Sequence, residues 1–299
     1  MAGYLFVHFT GEHKDGEQIY LALSRDGLHW TDLSETPVLK SSVGMKGVRD
    51  PFPVRDPKTG RVYIIATDLR IEAGLGWGAA QFDGSRDLVV WESDDLIHWS
   101  EERAITVGIP EAGCVWAPEA VYDSEKEAFF VFFASMVKAE GDEHPKQRIY
   151  AAYTKDFREF TPTQLYIERK NHVIDTTILE SDGKYYRISK DETTKRLIME
   201  VSDRLLGEFA PVQSATLETL EWVEGPEGYR LPDGTWCLVA DQFGSGKGYL
   251  PMTTPDLGTV DFTILKPEAY SLGGLKKRHG GILPITDEEY DRLAAHFGK

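Results

Sequence analysis

Carboxyl side chains recur in this chain in short, similar segments, three of them next to proline or glycine. These are Arg49-Asp-Pro51, Ala117-Pro-Glu119, Ile174-Asp-Thr176 and Glu224-Gly-Pro226, with His279-Gly-Gly281 as an acid-free fifth copy. Aspartate before proline is a common turn former and Glu-Gly-Pro an ordinary loop entry, so one segment alone carries little. Together they place Asp50, Glu119, Asp175, Glu224 and His279 at what reads as one phase of a repeat. Like charges gathered in one pocket raise each other's pKa and cost stability, so the grouping favours a working site. Paired carboxyl groups suit cleavage of a glycosidic bond, where one gives a proton to the leaving oxygen while another, ionised, activates water.

Such residues need elements that bring distant parts of the chain to one point. A unit of alternating apolar residues, then Ser or Thr, a polar pair and a hydrophobic residue recurs five times. Its clearest copies run from Ile19 to Trp30 and from Leu88 to Trp99, and its markers are Ser24, Ser93, Thr154, Ser202 and Thr254. Alternating with it are the acid-bearing segments, each leading into a strand, a turn and a second strand, which makes four strands per repeat. The acid-free fifth copy has no following strand, whereas Tyr4-Leu-Phe-Val-His-Phe9 has no preceding partner, so the two ends are expected to complete one blade together. The expectation is an all-β, five-bladed propeller as a single domain over residues 1–299, with Asp287–His296 as the one clear helix. In a propeller the innermost strands line a central channel, so the starts of equivalent strands converge at its mouth.

The rest of the composition narrows the function. With 33 Lys plus Arg against 49 Asp plus Glu the net charge is −16, a surface that repels phosphate backbones and anionic lipid. No nucleic-acid or membrane partner is expected. Cys114 and Cys237 lack metal-site or disulfide spacing and read as buried free thiols. The first residues lack the basic and apolar regions of a signal peptide, so a cytoplasmic location is expected.

At these motifs the chain resembles glycoside hydrolase family 43, whose five-bladed propellers carry an Asp base, a tuning Asp and a Glu acid. Gly47-Val-Arg-Asp-Pro-Phe52 resembles the family's first-blade motif, which implies Asp50 as general base. Ile174-Asp-Thr-Thr-Ile178 resembles the segment of the pKa modulator, Asp175, with Thr176 where proline is usual. Val223-Glu-Gly-Pro226 matches the general-acid motif and implies Glu224 in that role. Glu227 is its rival in the same segment, set on the opposite face by period-two alternation and so read as supporting. Val115-Trp-Ala-Pro-Glu119 resembles a sugar-pocket motif, which adds Trp116 and Glu119 as substrate-binding candidates. Arg278 and His279 resemble the closing-blade basic pair, Arg49 flanks the base, and Trp77 in the Gly-rich stretch 74–78 is a further stacking candidate.

The resemblance implies an exo-acting α-L-arabinofuranosidase that removes arabinofuranosyl units from plant-derived oligosaccharides by inversion, with β-xylosidase and galactofuranosidase as neighbouring alternatives. No cofactor is required by this reading. Some relatives hold an axial calcium near such a histidine, but no calcium-loop spacing is present. A family 32 fructosidase would carry its Arg-Asp-Pro in a later blade and a C-terminal sandwich, and a phosphorylase would need a basic phosphate pocket. A propeller that only binds carbohydrate is the reading of another class, and it predicts a missing carboxylate.

Overall fold

The computed structural model describes residues 3–298, so Met1, Ala2 and Lys299, the ends of the expected 1–299 domain, lie outside the described residues. Twenty strands form five four-stranded antiparallel sheets. From the axis outward, the first blade is Val48–Arg55, Val62–Asp68, Asp87–Ser93 and Arg103–Thr106. The second is Trp116–Asp123, Ala128–Val137, Lys146–Thr154 and Gln164–Ile167; the third is Val173–Ser181, Lys184–Asp191, Arg196–Ser202 and Ala210–Val212. The fourth is Glu224–Arg230, Trp236–Asp241, Tyr249–Thr254 and Thr263–Ile264. The fifth joins the two ends of the chain, with Gly281–Ile285 innermost, then Gly3–His8, Tyr20–Ser24 and Thr31–Asp32. The ring is therefore closed by the two chain ends, as expected from the unpaired end segments.

Strict alternation within the middle strands glues the blades. Along Val62–Asp68, Ile64 and Ala66 pack towards the fifth blade's Leu5 and Val7, while Tyr63 and Ile65 pack towards the second blade's Phe129, Val131 and Phe133. The second blade repeats this, sending Phe130 and Phe132 towards Val173 and Ile178 of the third. Side chains on successive positions of a strand leave opposite faces, so one strand supplies the core of two interfaces and reads as a continuous apolar run. Cys114 and Cys237 are buried free thiols within this packing.

The repeat markers have a local task. Ser24, Ser93 and Thr154 end the third strand of their blades, and their hydroxyl oxygens accept from the backbone N–H three residues on, at 2.9, 2.9 and 3.0 Å. Ser and Thr favour such turns for this reason. The C-terminal helix Asp287–Phe297 starts in a Thr286/Glu289 capping box, buries Leu293 in the interface of the fifth and first blades, and pairs Glu289 with Arg55 of the first at 2.9 Å. Short helices at Trp77–Phe82 and Ala215–Thr219 were not expected from the sequence pattern. Among the described residues no helix is long and apolar enough to cross a membrane.

The innermost strands position the site through one shared irregularity. Arg49 to Phe52, Trp116 to Glu119, Ile174 to Thr177 and Glu224 to Glu227 each span three residues opposite two on the neighbouring strand. The extra residue takes a left-handed conformation: Asp50 φ 50°, Ala117 φ 47°, Asp175 φ 48° and Gly225 φ 53°. A bulge of this kind re-aims the side chain it carries.

It also corrects the expected common phase of the acids. Asp50 and Asp175 occupy the bulge, Glu224 stands one residue before it beside the equivalents Arg49, Trp116 and Ile174, and Glu119 stands two after it beside Glu227. Because the bulge consumes one residue, Glu227 is also two register steps from Glu224, so period-two alternation does not separate their faces.

Gly225 combines the positive φ with a crowded site, since a Cβ there would lie 2.5 Å from Cγ of His279. Gly225→Ala is expected to lose about 3 kcal/mol or more in denaturant unfolding. Gly183→Ala, at φ 71° with open space around it, is expected to lose only about 1 kcal/mol. Equal losses would show that the bulge is not tightly packed.

Candidate active site

A cavity of about 420 Å³ opens at the axis, and the bulged ends of the inner strands build its floor. Asp50, Asp175, Glu224, Arg49, Arg278, His279, Trp77 and Trp116 all line it, so eight of the nine expected site residues meet in one place. Glu119 does not. It is 4% exposed and buried beside Thr177 and Glu227, because its position two residues past the bulge lies deeper along the axis. The substrate-binding reading of Glu119 is therefore corrected to a structural one. Glu227 is likewise absent from the cavity wall and accepts from the Ile282 N–H at 3.0 Å.

Each acid is held by a neighbour on an adjoining strand or blade. Thr67, paired opposite Arg49 on the next strand, donates to Asp50 Oδ2 at 2.9 Å and accepts from the Ala117 N–H at 2.8 Å, which ties the first blade to the second. Asp175 Oδ2 accepts from the Gly225 N–H at 3.1 Å, so the third blade's acid is fixed by the fourth blade's bulge. His279 lies between them, its Nδ1 3.5 Å from Asp50 and 3.9 Å from Asp175. Glu224 is gripped at both oxygens, by Lys190 Nζ at 2.8 Å and Arg278 Nη2 at 3.0 Å.

These contacts extend into a chain of alternating charges around the mouth. Glu17 and Glu12 both accept from Arg49, Glu12 reaches Arg278 at 3.4 Å, Arg278 holds Glu224 and Asp241, and Lys190 bridges Glu224 to Glu192 at 2.7 Å. Every cation on the wall thus has a carboxylate partner. Buried charges are tolerable only when paired, and an anionic ligand here would have to displace one of these carboxylates. The aromatic surfaces are Trp77, which stacks on the Arg49 guanidinium and meets Trp116 edge-on at 6.0 Å, and Phe243, whose face carries Lys190 Nζ at 4.3 Å. Aromatic faces among neutralised polar groups suit a neutral polyhydroxylated ligand.

The electrostatics separate the acids. Burial pushes Asp175 up to about 6 against the pull of His279 and Lys190. Burial acts the same way on Glu224, but Lys190 and Arg278 outweigh it and bring the carboxyl down to about 2. Deeper in the axis, burial pushes Glu227 up to about 8, and burial with the neighbouring Glu227 raises Glu119. Among the described residues no group of three or more His, Cys, Asp or Glu side chains is arranged to hold a metal ion.

Sequence reasoning missed Glu12, Gln147, Lys190, Glu192 and Phe243, all on the cavity wall. A signal for Lys190 existed. It faces Ile174 across the sheet, as Thr67 faces Arg49 and Asp241 faces Glu224, and a charged residue near the end of a buried second strand calls for a partner. Glu12 comes from the connection within the closing blade, and nothing in its local sequence marks it.

A carboxyl whose pKa is raised on folding favours the fold when neutral, and that contribution is lost as pH rises from the unfolded value through about 6. Asp175→Asn is therefore expected to be more stable than the parent at pH 8 by about 2–3 kcal/mol, with the gap closing towards pH 4. Thermal melts across that range read it, and a gap independent of pH would contradict the burial of Asp175.

The family model described as "Probable glycosyl hydrolase domain" matches residues 1–291. An α-L-arabinofuranosidase of Bifidobacterium longum subsp. longum is 32% identical over 289 residues, covering 81% of this chain and 27% of the relative. The chain thus spans about a quarter of the length of that curated relative. Among solved structures, a thermostable family-43 glycoside hydrolase superposes with a TM-score of 0.52 at 18% identity, over 77% of this chain and 74% of its own. An endo-1,4-β-xylanase from Bacteroides thetaiotaomicron does so at 0.61 and 15% identity, over 88% and 91%. At those identities the superpositions speak for the fold, while the family model speaks for the sequence that builds the site, and by it the chain belongs to the family-43-related glycosyl hydrolases.

Proposed function

We propose that this chain is the catalytic domain of an exo-acting α-L-arabinofuranosidase, which releases arabinofuranosyl units from plant-derived oligosaccharides by single displacement with inversion. The observation that carries the reading is the convergence of Asp50, Asp175 and Glu224 on one cavity whose cations are all neutralised. The name of the Bifidobacterium relative supports the choice of sugar over the xylosidase and galactofuranosidase alternatives.

Asp50 and Glu224 come from the first and fourth blades, which the closing blade separates, so a sugar can lie between them. Asp50, with one oxygen on Thr67 and the other 3.5 Å from His279 Nδ1 at the cavity wall, is the base that takes a proton from water. Glu224 is the acid that protonates the leaving oxygen. In the unliganded protein both its oxygens already accept from cations, so acid function requires that substrate entry release one of them. Lys190 is the cation that can leave, because Glu192 stands 2.7 Å from its ammonium as a second partner. Asp175, bonded to the Gly225 N–H directly beside Glu224, tunes that acid through its own charge.

Hydrolysis of aryl α-L-arabinofuranoside, β-D-xyloside and β-D-galactofuranoside by the parent, Asp50→Ala and Glu224→Ala tests the reading. Activity should be highest on the arabinofuranoside and fall at least about 10³-fold in both variants. Activity confined to another glycoside would reassign the sugar, and none on any while sugars still bind would favour the carbohydrate-binding reading.

Lys190→Met adds a check on the proton donor. Losing a cation raises the pKa of Glu224, so the alkaline limb of kcat/KM should move up by about one pH unit or more. An unmoved limb would mean that Glu224 is not the acid.

A further inference from the structure

Resting on Glu224 as the acid, we infer that Trp222 and Phe243 form the shelf that binds the leaving-group sugar, the unit on the far side of the scissile bond from the one released. An acid in contact with the glycosidic oxygen has the released unit on one side and the leaving group on the other. On the Asp50 side the wall is Arg49, Trp77 and Trp116. Past Glu224 it is Lys190, Glu192 and Phe243, and Trp222 continues that surface outward, its ring 6.0 Å from Phe243 at 58°.

Packing does not explain Trp222. The residue is 54% exposed, so it gains little from burial, yet its backbone sits at φ 58°, a conformation unfavourable for a bulky side chain. It is held there from both sides. Its N–H donates to the Lys195 carbonyl at 2.9 Å, and its carbonyl accepts from the Gly244 N–H at 3.2 Å. A Cβ on Gly244 would come within 2.4 Å of the Trp222 Cβ, so glycine at 244 is what lets the two loops close on each other. An exposed indole on a strained, doubly clamped main chain two residues before the acid is a pre-organised apolar face, and the C–H face of a sugar ring is the ligand chemistry that matches it. Glu192, at the same edge of the cavity, supplies an acceptor for sugar hydroxyls.

The shelf therefore selects for a leaving group that is itself a sugar. Trp222→Ala should lower kcat/KM on an α-L-arabinofuranosyl-substituted xylotriose about tenfold or more, while methyl α-L-arabinofuranoside, which has no leaving-group ring, changes by less than about twofold. Trp222→Phe should recover part of the loss. Equal falls on both substrates would mark Trp222 as merely structural, and no fall on either would leave the shelf unused; each overturns the inference. Glu224→Gln separates this from failure of the enzymatic reading, because it should abolish turnover of both substrates. If the parent hydrolyses neither, calorimetric binding of the same oligosaccharide to Asp50→Asn, with and without Trp222→Ala, reads the shelf directly. Weaker binding without the indole supports it, and unchanged binding overturns it.

Discussion

Four of the five inner strands carry one extra residue at the same height on the axis, and that residue adopts a left-handed backbone at Asp50, Ala117, Asp175 and Gly225. A regular strand would alternate its side chains between the two neighbouring blades and offer the axis little but main chain. The bulge breaks that alternation locally, and it does so where the strands converge. Two of the four bulges carry aspartate, a residue that tolerates this conformation, one carries alanine, and one carries glycine because His279 fills the space a side chain would need. The strain is of the kind found at working sites, and the regular pairing with the second strand before and after each bulge holds it.

Once the acids are aimed at one point, their charge has to be managed. The solution is a chain of alternating signs that draws on four of the five blades: Glu12 and Glu17 from the closing blade's connection, Arg49 from the first blade, Lys190 from the third, Glu224 and Asp241 from the fourth, and Arg278 before the last strand. Three carboxyls stand outside it, in two ways. Asp175 is bound to main chain rather than to a cation, and burial raises it; Glu119 and Glu227 sit deeper, where burial keeps them neutral more easily than it would let them ionise. Position alone thereby separates one kind of side chain into Glu224, brought down by its cations, Asp175, raised to about 6, and the deeper raised pair Glu119 and Glu227.

Closure of the ring is what allows these contributions to meet. Tyr4 and Phe6 pack towards the fourth blade while Leu5 and Val7 pack towards the first, so one N-terminal strand completes two interfaces, and Gly281–Ile285 lies against it to place Arg278 and His279 beside the acids. The capped C-terminal helix secures the join through Leu293 and the Glu289–Arg55 pair. The polar site rests on an apolar frame that is continuous from blade to blade.

Blade number, the shared closing blade and the meeting of Asp50, Asp175 and Glu224 at one cavity were readable from the sequence, because strand periodicity, turn hydroxyls such as Ser93 and short acid-bearing motifs are local properties of the chain. The phase of those acids was not. Reading Glu119 as a wall residue assumed unbroken alternation, and a bulge is a relation between two strands that a single strand does not display. Lys190, Phe243, Trp222 and Glu12 belong to the same class of unknown: each acquires its role from a partner far away along the chain. The sequence by itself determined which residue types are present and how often the chain turns back on itself. Only the tertiary structure decided which carboxyl is ionised, which is buried and which aromatic is left open to solvent, because desolvation and Coulomb interaction depend on distance in space and not on separation along the chain.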